Sequence, residues 1–127
     1  MRTFINSFIT FLLLSTLLIA QDIKVHNLIG KSQSEVIKKF GNPVHKDASD
    51  PSMICMFYKS GSYSMIFVSN KEGVYQAEAS AAYDTEKTVK TEIDKFISNS
   101  VSNGFSVDTV SVSDFHLTKK GVKVDLQ

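Results

Sequence analysis

The chain has 127 residues, with 14 lysine and arginine side chains against 13 aspartate and glutamate, and a single cysteine. So balanced a charge argues against nucleic acid as partner, because such proteins neutralise phosphates with clustered Lys and Arg and are typically strongly basic. One cysteine rules out an internal disulfide, so the fold has to rest on its apolar core.

The opening, Met1 to Ala20, reads MRTFINSFITFLLLSTLLIA. One positive side chain, Arg2, precedes an apolar run densest from Phe8 to Ile19, and the small Ala20 closes it. A basic start, an apolar middle and a small residue before the cut make a secretory signal, with cleavage expected near Ala20–Gln21. A retained transmembrane helix needs about 20 predominantly apolar residues, whereas Asn6, Ser7, Thr10, Ser15 and Thr16 interrupt this run and Asp22 follows it. A lipid anchor of the lipoprotein kind needs a cysteine after the cut, but position 21 is glutamine and the cysteine is Cys55. The expectation is export to the periplasm or the medium, without lipid anchor or retained span. The working part is then one domain, residues 21–127. Cleavage removes the only arginine and leaves thirteen lysines against thirteen acidic residues.

The first element of that domain is a short helix. Ser32-Gln33-Ser34-Glu35 is a capping box: the Ser32 hydroxyl accepts from the backbone N–H of Glu35, and the Glu35 carboxylate reaches back. Val36, Ile37 and Phe40 share a face, Gly41 supplies a left-handed stop, and Pro43 prevents continuation. His45 to Ser52 reads as an exposed loop. Met53–Lys59 and Tyr63–Ser69 are short runs rich in aromatic and branched residues, apolar on both faces, hence central strands. After the turn Asn70–Gly73, Val74–Tyr83 alternates. Gln76, Glu78 and Ser80 take one face, while Tyr75, Ala77, Ala79 and Ala81 take the other. The small alanines leave room for something bulky, and a helix crossing that face fits the need. Thr85 to Asn103 supplies a candidate, with Val89, Ile93, Phe96, Ile97 and Val101 on one stripe at helical period. Phe105 to Gln127 reads as a second hairpin turning at Lys119-Lys120-Gly121. The order α-β-β-β-α-β-β defines an α+β fold: one small domain with a mainly antiparallel sheet and helices packed on it.

Chemistry is harder to find. His26, His45 and His116 are far apart, stand in no recognisable motif and read as loop or strand-end residues. No G-x-S-x-G elbow occurs. Cys55 lies in the apolar segment MICMFYK, where a buried, inert thiol is the natural reading. His45, Asp47 and Asp50 match neither a zinc pattern nor a calcium loop. No catalytic residue, cofactor or metal site is therefore assigned, and the chain is not expected to be an enzyme.

The segment LIGKSQSEVIKKFGNP is similar to the start of the SmpA/OmlA (BamE) outer-membrane assembly family and of the β-lactamase-inhibitor-like domains. The matching residues are Gly30, Ser32, Val36, Phe40, Gly41 and Pro43, followed more loosely by Tyr58, Gly61 and Phe67. The likeness covers the N-terminal half of the mature chain. It implies a capped helix before a three-stranded antiparallel sheet, and a non-enzymatic envelope role in binding other proteins. Those assembly factors are lipoproteins, and this chain has no cysteine to carry the lipid. The aromatic strand residues Phe57, Tyr58, Tyr63, Phe67 and Tyr75 are the candidate binding surface, because an exposed aromatic strip marks an interaction site. The expected function is an exported protein-binding domain. The alternative is a small-ligand or lipid carrier with an apolar pocket between sheet and helix.

Overall fold

Helix α1, Gln33–Phe40, starts where its cap dictates: the Ser32 hydroxyl accepts from Glu35 N at 3.2 Å. It stops at Gly41, whose φ of 81° is open to glycine at little cost. The structure, a computed structural model, describes residues 23–127. The expected signal, Met1–Ala20, and its expected cleavage point lie outside the described residues. Among the described residues no helix is long and apolar enough to cross a membrane. After α1 come β1 His45–Asp47, β2 Ile54–Ser60, β3 Tyr63–Asn70, β4 Gly73–Ser80, helix α2 Glu86–Ser102, β5 Ser106–Thr109, β6 Phe115–Lys119 and β7 Val122–Leu126. A 3₁₀ turn, Val25–Leu28, precedes them. The fold is α+β with wholly antiparallel pairing.

Two sheets form instead of one, in the orders β1-β2-β3-β4 and β5-β6-β7. In the first, Met56 pairs with Phe67 and Phe67 with Ala77, while Tyr58 pairs with Met65 and Met65 with Ala79. Each row thus runs large, large, small across the core face. α1 covers the large end. Val36 is fully buried, Phe40 stacks on Phe67 with centroids 5.6 Å apart, and the Tyr58 hydroxyl donates to Gly41 O at 2.8 Å. That bond satisfies a carbonyl at the helix end and ties it to β2.

Three expectations are corrected. The segment His45–Ser52 is not all loop, because His45–Asp47 adds an edge strand to β2. Its side chains stay exposed, which is why its hydropathy carries no strand signal. Secondly, α2 does not cross the alanines of β4. It packs by Phe96 and Ser100 on the second sheet, with Phe105 and Leu117, and leaves Val89 and Val101 on its stripe exposed. Thirdly, the C-terminal segment has three strands. Asp114 O accepts from Val110 N and Ser111 N, which turns the chain there and leaves Val112 97% exposed.

The 3₁₀ turn joins the halves. Val25 and Leu28 enter the first core, while the His26 ring lies between Phe96 and Phe105 of the second, at 4.7 and 5.2 Å. Ile23 packs against both clusters. The chain then runs along the start of β4: Gly30 N donates to Val74 O, and Val74 N to Lys31 O. A Cβ on Gly73 would stand 2.9 Å from Lys31 O, so glycine is required at this approach.

Candidate functional site

Pairing along the outer edge of β4 ends at Val74. Among the described residues, no other strand neighbours β4 on that side, and none neighbours β7 opposite β6. Alternate residues of both strands therefore direct N–H and C=O groups away from their sheets. The two edges border the same cleft, of about 610 Å³, lined by Tyr75 to Ala79 on one side and Lys123 to Gln127 on the other. Its floor is Ile23, Val25, His26, Ile29 and Phe96, residues of the junction and of α2.

Side-chain size makes the opening. Ala77 and Ala79 end the core rows where larger side chains would fill the space, and α2 is turned to the second sheet. Val124 and Leu126 are half-buried against the second core, while Glu78, Lys123 and Asp125 are exposed. Glu78 accepts from Gln76 Nε2 at 3.4 Å, and Asp125 stands 3.5 Å from His116 Nε2.

The five aromatic candidates do not share one surface. Tyr58, Tyr63 and Phe67 are buried in the first core at 8, 9 and 0% exposure. Phe57 and Tyr75 occupy the opposite face. Phe57 is half-buried beside His45, with ring centroids 5.5 Å apart. Tyr75 sits at a register shift opposite Val68/Ser69 and sends its hydroxyl to Ser52 O at 3.0 Å. Only Tyr75 also borders the cleft. Period-two alternation separates the two sets, but it does not say which face a helix will cover.

Cys55 is half-buried on that outer face, not in the core, with its Sγ 3.9 Å from Met53 O. His26 corrects the reading of the histidines as loop or strand-end positions. It is 7% exposed, and its Nε2 lies 3.3 Å from the Ser100 hydroxyl. Ser100 has no exposed surface, so a substrate carbonyl has no approach to that oxygen. Asp47 and Asp50 each accept from the N–H and hydroxyl of the serine two residues on, Ser49 and Ser52. These bonds, the hydroxyl's first, hold both carboxyls below their ordinary range. Among the described residues, no three His, Cys, Asp or Glu side chains are grouped to hold a metal ion.

The site therefore belongs to a class defined by geometry: an α+β domain whose two sheets, among the described residues, turn unpaired edges toward one open cleft. No family model, curated protein or solved structure matches the chain.

Proposed function

We propose that this chain is an exported, non-catalytic domain that binds a protein partner through the cleft between its sheets. The observation that carries this reading is the pair of free strand edges, β4 and β7, bordering one opening. Exposed edges are templates for another chain, and proteins that do not use them blunt or cover them. Export rests on the Met1–Ala20 signal pattern, and the likeness of Leu28–Pro43 to the SmpA/OmlA family leans the same way. The volume of the cleft also suits a small ligand, which keeps a carrier function as the second reading. Its charged walls, Glu78, Lys123 and Asp125, favour a peptide over a lipid tail, since buried charges need partners.

Photo-cross-linking in the host envelope tests this. A photoreactive residue at position 78 or 123 should give a discrete protein adduct that the same residue at the exposed position 112 does not. Equal labelling from all three positions, or a co-purified lipid in place of a protein, would defeat the protein-binding reading.

A further inference from the structure

The shape and charge of the cleft specify more than a protein in general. β7 runs Val122-Lys123-Val124-Asp125-Leu126, with its valines and leucine half-buried on one face and its charges on the other. A chain laid along its edge has to match that alternation, because side chains directly opposite on one face are in contact. Volume then limits what can enter. A strand occupies about 4.8 Å laterally and about 10 Å through the sheet, or about 160 Å³ per residue. The 610 Å³ of the cleft thus matches about four residues of one strand. That is the room of a single extended segment. Charge narrows the choice further. Glu78 and Asp125 place two carboxylates against the single ammonium of Lys123 at the cleft walls.

We propose that the cleft takes an extended peptide segment of about four residues that ladders onto the edge of β7. Its apolar side chains lie at alternate positions beside Val124 and Leu126, facing the space left by Ala77 and Ala79, and the intervening position opposite Asp125 carries Lys or Arg. Backbone bonds to β7 supply affinity, and the alternating side chains supply selectivity. This rests on the protein-binding reading and adds the partner's chemistry and its mode of attachment.

A phage-displayed random heptapeptide library, selected on the purified protein, provides the probe. Selected peptides should alternate apolar and polar residues, with Lys or Arg at the polar position opposite Asp125. In synthetic copies, N-methylation of every second residue should weaken binding at least tenfold and methylation of the residues between them less than twofold. Ala79→Leu, which fills the opening, should lower affinity at least tenfold. The exposed pair Glu78→Lys and Asp125→Lys, which does not burden folding, should switch that selected basic residue to an acidic one. A flat N-methylation profile, or peptides indifferent to both variants, overturns the proposal. So does dimerisation in the ultracentrifuge that Ala79→Leu abolishes, which would give the edge to a second copy. Should no peptide be selected while positions 78 and 123 still cross-link a protein, strand addition fails and the protein-binding reading stands. With neither peptide nor adduct, both fall.

Discussion

Among the described residues, the four-stranded half gathers nine buried apolar side chains in one cluster, with Val36, Met56 and Phe67 at 0% exposure. The three-stranded half gathers Phe96, Phe105 and Leu117. The difference follows from the helices. α1 is short, but its Val36, Ile37 and Phe40 all meet the first sheet. α2 is twice as long and meets the second chiefly through Phe96 and Ser100. A longer amphipathic helix therefore does not make a deeper core, because burial depends on the face it is offered. The thinner half also carries the β7 edge, in keeping with the tendency of binding elements to come from the less stable parts of a fold.

The largest effect expected from this contrast is at Phe67. Phe67→Ala should cost about 3–5 kcal/mol, a large share of the roughly 5–15 kcal/mol that holds a small domain together. Denaturant titration should show loss of the whole fold at a much lower midpoint. Leu117→Ala comes next, at about 2–4 kcal/mol, and its effect should be local. Amide exchange should accelerate in β5, β6 and β7 while β2, β3 and β4 keep their protection. Equal loss in both sheets would mean that the halves open as one unit, joined through His26 and Ile23, and the contrast would fail.

The smallest effect is a pH dependence in the first half. Burial pushes the Tyr58 phenol above its ordinary pKa of 10.0. The folded state then holds this proton more tightly than the unfolded chain, so the contribution is complete below about pH 10 and is lost as pH rises through the raised value. Melting temperature should fall as pH rises above about 10, and the fall should be shallower in Tyr58→Phe. That variant should also start lower by about 1 kcal/mol, because it gives up the bond to Gly41 O. An identical alkaline fall in both proteins would remove Tyr58 from the explanation.

Much of the first half is legible before folding is considered. Ser32 and Gly41 bound α1 by local hydrogen bonding and backbone freedom, signals contained within a few residues. The strand runs around Ile54–Ser60 and Tyr63–Asn70 and the turn at Gly73 are local in the same sense. Edge strand β1 was not legible, since its three side chains face solvent and leave hydropathy without a period. The cleft was legible only as a hint, in the alanines of β4, which announce space without saying what fills it.

Local patterns in the chain are enough to set where the helices begin and end, which residues alternate in the strands, and the α+β class, because capping, helical period and strand period act over a single turn or pair. Long-range packing sets the rest: the strands divide into two sheets, α2 turns to the second of them, and His26 is buried between Phe96 and Phe105. Those outcomes depend on which of several apolar faces meet, a competition among residues far apart in the chain that no local pattern records. That same competition left β4 and β7 bordering one cleft, with no further strand beside either among the described residues.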